Sequence, residues 1–268
     1  MNNDRIRTRL EVIDERFRGY QGDEWVERLY TGCRWAEGQA YFAASRSLVF
    51  SDIPNDRVLR FDELTGAVGV LRAPAGYSNG HTVDRQGRLL SCEQGHRRVT
   101  RTEHDGTVTV ISDNYDGKRL NSPNDLVEDS DGSIWFTDPS YGIDSDYEGH
   151  QAESEIGACN VYRVDPQTGE TRVVADDFVR PNGIAFSTDE RQLYIVDTRE
   201  RHIRGSKLRK TPPSPAARSL PAAMPGRSTA CDSTGWVGYG RQPTMDCTAS
   251  TPTARCWENS TSPRSPRT

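Results

Sequence analysis

The sequence predicts an all-β fold, a radial propeller of about four blades that is incomplete and followed by an irregular tail. Two observations predict it. A short apolar strand ending in an acid occurs at Leu48-Val49-Phe50-Ser51-Asp52 and returns at Leu89-Leu90-Ser91-Cys92-Glu93, Ile134-Trp135-Phe136-Thr137-Asp138 and Leu193-Tyr194-Ile195-Val196-Asp197, in steps of 41, 45 and 59 residues, the range of propeller blades. Between these strands lie runs of Asp, Asn, Gly and Pro that form hairpin turns. A propeller gathers the inner strand ends of its blades around one axis. Acids and amides far apart in sequence therefore meet there, and an axial metal or ligand site is the first expectation.

Taken in order, residues 1–30 form an N-terminal arm. Its apolar residues Leu10, Val12, Ile13 and Phe17, then Trp25, Val26, Leu29 and Tyr30, predict a short helix or an extended segment packed on the first blade. The incomplete propeller spans residues 31–204. Blade 1 is expected over strands 40–43, 48–52, 57–62 and 68–71, and blade 2 over 81–84, 89–93, 98–101 and 107–111. Blade 3 takes 124–127, 134–138, 160–164 and 171–175; its polar, acidic insertion at 140–158 lengthens the step to the next blade and is expected as a surface loop and part of a lid. Blade 4 begins at 182–186 and 193–197 and is cut short near 202–204.

From Gly205 to Thr268 the chain is rich in Pro, Ser, Thr, Arg and Ala and follows neither the strand nor the helix period. This segment reads as a disordered tail or as a stretch translated out of frame. Permitted codons for Met224 to Asp232, read two bases later, spell Ala-Gly-Pro-Phe-Asp-Gly-Leu-Arg, and the same shift over Ala249 to Glu258 gives a second strand and turn. An array that does not close leaves sheet faces and edges open.

Composition excludes some classes of function. A net charge of −5 supplies no basic stripe, so no nucleic-acid partner is expected. No apolar run approaches the ~20 residues of a membrane span, and Met1-Asn2-Asn3-Asp4-Arg5 lacks the apolar stretch of a secretory signal. A cytoplasmic protein without a membrane partner follows. None of the six cysteines forms a CxxC pair, which argues against a zinc knuckle or a disulfide framework.

The chemistry concentrates where inner strands should begin. Glu37, Asn124 and Asn182 each stand one or two residues before such a strand, and together they offer one carboxylate and two amide oxygens. That hard donor set suits Ca²⁺ or Mg²⁺ and tolerates Mn²⁺ or Zn²⁺. The competing reading is that Pro123-Asn124-Asp125 and Pro181-Asn182-Gly183 are ordinary turns. His81 opens a strand and either faces substrate or simply hydrogen-bonds; His96 lies beside Arg97 and Arg98 at a turn. Glu93, Asp138 and Asp197 read as structural blade residues. With no Gly-x-Ser-x-Gly elbow, a serine triad is not supported.

The runs Gly32-Cys33-Arg34-Trp35-Ala36-Glu37-Gly38, Ser51-Asp52-Ile53-Pro54-Asn55-Asp56-Arg57, Asn121-Ser122-Pro123-Asn124-Asp125, Trp135-Phe136-Thr137-Asp138-Pro139 and Arg180-Pro181-Asn182-Gly183 resemble the gluconolactonase and senescence-marker-protein (regucalcin) family, in family order and over about residues 10 to 204. The resemblance implies a six-bladed propeller, one catalytic divalent cation at the axis, Ca²⁺ foremost, and hydrolysis of sugar lactones. It further implies that Glu37 and Asn182 are metal ligands, that Asn124 contacts metal or substrate, and that Asp125 lies near the substrate and assists proton transfer. The family's remaining ligand, an Asp in a later Asp-Gly motif, is missing as the tail is translated; only the shifted frame supplies it. The expectation is therefore a carboxylic-ester hydrolase impaired or inactive in this form. A non-catalytic binding propeller, an inactive misfolded product and an aryl-ester or organophosphate hydrolase are the alternatives.

Overall fold

The computed structural model describes residues 4–8, 11–20 and 25–208; the tail from residue 209 onward, and with it the frame question, lies outside the described residues. Four antiparallel blade sheets follow one another along the chain, accompanied by two two-stranded pairs, one in the arm and one at Asn114–Tyr115 and Lys118–Arg119. Blade 1 comprises Ala36–Phe42, Ser47–Asp52, Arg57–Asp62 and Val68–Arg72. Blade 2 comprises Ser78–Val83, Leu89–Glu93, Arg98–Thr102 and Val108–Ser112. Blade 3 comprises Leu126–Glu128, Ile134–Asp138, Cys159–Val164 and Thr171–Phe178. Among the described residues blade 4 has three strands, Pro181–Phe186, Gln192–Asp197 and His202–Lys207. The all-β array of four blades matches the repeat read from the strand period, and no sixth blade appears among the described residues.

Each blade is a meander, so the strand order in space is the strand order in sequence. The cores lie between blades. Ala40, Val49 and Val58 of blade 1 meet Leu89 of blade 2. Leu90, Cys92 and Val99 pack on Leu126, Phe136 and Tyr162, and Trp135 and Val161 pack on Ile184, Leu193 and Ile195. The second strand of blade 2 is buried on both faces, as is that of blade 3, which is why these strands are nearly continuous apolar runs instead of alternating ones. Outer strands are far more open: Val70 is 58 % exposed and Val110 is 44 % exposed.

Two expectations change. The arm forms a two-stranded ribbon of its own, Asp4–Arg7 against Trp25–Arg28, with a 3₁₀ segment at Glu15–Tyr20 between them. The inner strands of blades 1 and 2 begin at Ala36 and Ser78, several residues before the apolar signal, because a bulge near each start interrupts the alternation that marks a strand in sequence.

Candidate functional site

The acid that ends each second strand explains how the inner strand ends are positioned. Asp52 accepts from the backbone N–H of Arg34 and Trp35 at 2.9 and 3.3 Å. Asp138 does the same for Asn121 and Ser122, both at 2.8 Å, and Asp197 for Val179 and Arg180 at 2.8 and 3.2 Å. In every case the two N–H groups lie three and two residues before a predicted site residue: Glu37, Asn124 or Asn182. The recurring acid is a clamp on the loop that delivers a site residue. Blade 2 departs from this scheme, since Glu93 is occupied by His96, Arg98 and Thr100, while Asp56 accepts from the N–H of Ala75 and Tyr77.

The clamps place Glu37, Asn124 and Asn182 at one end of the array. Glu37 pairs with Ser51 just before the blade 1 bulge, and Asn182 follows Pro181, which pairs with Asp197 at the blade 4 bulge. Both residues thus lie inside strands and not ahead of them. Asn124 precedes its strand, and its N–H donates to the Thr137 carbonyl at 2.9 Å. Neighbouring inner strands touch through backbone. The Gly80 N–H donates to the Asn124 carbonyl at 2.8 Å, and Thr137 Oγ1 donates to the Asn182 carbonyl at 2.7 Å. A Cβ on Gly38 would lie 1.8 Å from the Asn79 carbonyl oxygen, so only glycine allows blades 1 and 2 to approach this closely. Asp125 is buried and accepts the Ile184 N–H through Oδ2 at 2.9 Å, joining blade 3 to blade 4.

The insertion after blade 3 crosses this same end. It contains a single helical turn, Tyr141–Asp144. The Gly142 N–H donates to Ser122 Oγ at 2.9 Å, the His150 ring stands edge-on to Tyr77 at 5.2 Å, and Arg180 pairs with Asp144 at 2.5 Å. Ser122 and Arg180 each lie two residues before Asn124 and Asn182, so the insertion is packed over the strand entrances of blades 3 and 4. Gly142, Ile143 and Gly149 are buried while most of the other residues of the insertion are exposed, so it is a surface loop pinned at these three residues. It also carries Glu148, whose carboxyl is pushed up by burial and by the negative charges of Glu37 and Asp144.

His81 does not face this opening. It is wholly buried, with Nε2 on Ser51 Oγ and Nδ1 on Ser91 Oγ, both at 2.8 Å, which corrects the substrate-facing option in favour of hydrogen bonding between blades 1 and 2. His96 is held by Glu93 at 2.6 Å. Burial, and then the Arg72 charge, pull His81 down from 6.5 to about 3. The unfolded chain takes up a proton below about 6.5 while the folded chain does not, so His81 removes stability as pH falls from 6.5 towards 3, at up to about 1.4 kcal/mol per pH unit. Urea unfolding of the wild type and of His81→Gln at pH 7 and pH 4.5 tests this: the gap between the two proteins should shift in favour of the variant at the lower pH.

The SMP-30/Gluconolactonase/LRE-like region matches residues 35–238 of this chain. The chain belongs to this family. Within it, the gluconolactonase of Zymomonas mobilis is 31 % identical over 193 residues, which are 65 % of this chain and 51 % of that protein. A lactonohydrolase of Aspergillus oryzae is 37 % identical over 93 residues, 35 % of this chain and 21 % of that protein. The chain thus spans about half or less of the length of these curated relatives. Among solved structures, a gluconolactonase from Xanthomonas campestris superposes with a TM-score of 0.72 at 37 % identity, covering 77 % of this chain and 70 % of that one. A calcium-binding regucalcin from Agrobacterium tumefaciens shares the fold, with a TM-score of 0.53 at 21 % identity, covering 68 % of this chain and 57 % of that one.

The residues of this family member fit a hard cation. Among the described residues no cluster of three or more His, Cys, Asp and Glu side chains gathers to hold a metal; the candidate donors at this end of the blades are one carboxylate and amides. Glu37 is pushed above the usual carboxylate range by burial, partly offset by hydrogen bonds from Trp35 Nε1 at 3.1 Å and from the Gly38 N–H. No basic side chain among the described residues pairs with it. A half-buried carboxylate with no basic partner among the described residues, at the same blade end as two amides, has the chemistry of an oxygen-liganded cation site.

Proposed function

We propose that this chain is a metal-dependent carboxylic-ester hydrolase of the gluconolactonase type, acting on sugar lactones, with Glu37 and Asn182 as metal ligands and Asn124 contacting metal or substrate. The observation that carries the reading is the common register of these residues at one end of the blades, each delivered by the same carboxylate clamp. Family membership supports the substrate class. Ca²⁺ is the foremost cation, and Mg²⁺, Mn²⁺ and Zn²⁺ are compatible with the same oxygens. When bound, such a cation supplies Lewis-acid polarisation of the lactone carbonyl.

Glu37 holds the negative charge that attracts the cation, and the amides of Asn124 and Asn182 orient it and the substrate. Asp125 takes a proton from the water that attacks the carbonyl carbon. The ring C–O bond then breaks, the alkoxide recovers a proton, and an aldonic acid is released. With one carboxylate among the described donors the site holds its cation weakly, because donor charge sets much of the affinity; turnover is accordingly impaired. We place the protein in the cytoplasm, in keeping with free Cys33, Cys92 and Cys159. No helix among the described residues is long and apolar enough to cross a membrane.

Hydrolysis of glucono-δ-lactone followed by pH-stat, with millimolar Ca²⁺ and then with a chelator, tests the reading. A cation-dependent rate above the spontaneous one is expected, and a folded protein with the spontaneous rate in both conditions overturns it. Asp125→Asn, which keeps an acceptor for the Ile184 N–H, should lower kcat by about 100-fold or more with cation affinity retained. If affinity falls in step with kcat, Asp125 is a positioning residue and not the base.

A further inference from the structure

The register brings a fourth residue to the same end of the blades. In blade 1, Ala36 pairs with Asp52, Glu37 follows, and a bulge separates it from Ala40. In blade 4, Pro181 pairs with Asp197, Asn182 follows, and pairing resumes at Ile184. In blade 2, Ser78 pairs with Glu93 and pairing resumes between His81 and Ser91. The residue after Ser78 is Asn79, so it occupies in blade 2 the position that Glu37, Asn124 and Asn182 occupy in the other three.

The backbone of Asn79 is fixed on both sides. Its carbonyl accepts Ser51 Oγ at 2.9 Å and lies against Gly38 of blade 1, and the next residue, Gly80, donates to the Asn124 carbonyl of blade 3. Asn79 is only 8 % exposed and Asn124 only 4 %, yet neither side-chain amide hydrogen-bonds a described residue, and neither is enclosed away from solvent-accessible space. Side-chain amides that reach solvent-accessible space without a protein partner keep their donor and acceptor open to a ligand. Two adjacent amides left in this state at one strand end are arranged for a ligand.

We propose that Asn79 is a substrate-binding residue that selects polyhydroxylated lactones, its carboxamide hydrogen-bonding a sugar hydroxyl. The amide both donates and accepts, as a sugar hydroxyl does, so one carboxamide can pair with a hydroxyl through either atom. This assignment rests on the sugar-lactone reading above.

The test is calorimetric binding of gluconolactam, a non-hydrolysable analogue, to the Ca²⁺-loaded protein, together with a Ca²⁺ titration. Asn79→Ala should bind the lactam about tenfold more weakly, as loss of one such hydrogen bond predicts, with Ca²⁺ affinity within about twofold of wild type. An equal fall in Ca²⁺ affinity would make Asn79 a metal ligand and overturn the assignment, as would unchanged lactam binding. If the alanine variant does not fold, Asn79→Ser is read in its place. A wild type that binds lactam without hydrolysing lactones defeats the hydrolase reading alone; one that binds no lactam defeats this inference as well.

Discussion

Glu37→Gln should lower the affinity for Ca²⁺ by about 100-fold, the effect of removing the one anionic donor among the described residues while keeping the shape of the side chain. The same substitution should leave the cation-free protein as stable as wild type or more so. The sign follows from the carboxyl group: burial raises it above its unfolded value of 4.5, so the folded state binds more protons through that window. Stability is then lost as pH rises through it, and Gln removes the loss. Thermal unfolding with and without millimolar Ca²⁺ reads both effects. The wild type should gain in Tm with the cation, and Glu37→Gln should start at least as high and gain nothing. A variant that keeps its Ca²⁺-induced shift would remove Glu37 from the ligand set.

Asp138→Ala should destabilise the protein by about 3 kcal/mol or more, because the buried N–H groups of Asn121 and Ser122 lose their acceptors together, at roughly 1–3 kcal/mol each. Asp138→Asn should cost less. Burial raises Asp138 to about 7, against the opposing pull of those two N–H groups, so at neutral pH the wild type already holds its proton part of the time. The unfolded chain releases that proton near 3.8; wild-type stability from this group therefore falls as pH rises from about 4 to about 7, opposite to the contribution of His81. Urea unfolding at pH 5 and pH 7.5 should show the stability difference between wild type and Asp138→Ala narrowing as pH rises, because the His81 contribution is common to both proteins and cancels in that difference. The alanine variant should also bind Ca²⁺ more weakly, since its loop no longer holds Asn124. Stability within about 0.5 kcal/mol of wild type would mean that the clamp does not organise the loop.

The blades were legible because their second strands combine an apolar run with a terminal acid, a pattern local in sequence and repeated. Glu37, Asn124 and Asn182 were legible as residues near strand starts, but their strand positions were not: a bulge adds a residue to the ladder and erases the alternation on which the reading depends. Asn79 is hidden in the sequence for the same reason. It sits in Ser78-Asn79-Gly80-His81, which reads as a turn before a strand, and only its pairing with the Glu93 strand aligns it with the other three. The signal available was the spacing of 42 residues from Glu37 to Asn79 and 45 from Asn79 to Asn124, the blade period itself. Sequence leaves both roles of His81 open because a histidine opening a strand looks the same whether it faces a ligand or, as here, two serines on neighbouring strands.

Read alone, the chain carries its fold class, its blade count up to residue 204 and the chemical type of its donors, since all three follow from residue identity and periodicity within a few tens of residues. Which of those donors stand at one end of the blades is decided by packing between blades. The Gly38 and Gly80 contacts set how closely the strands approach, and the terminal acids set where each loop is held. Those are contacts between residues distant in sequence, so no local pattern encodes them, and it is the pair of N–H groups from a neighbouring loop that marks an acid as a clamp.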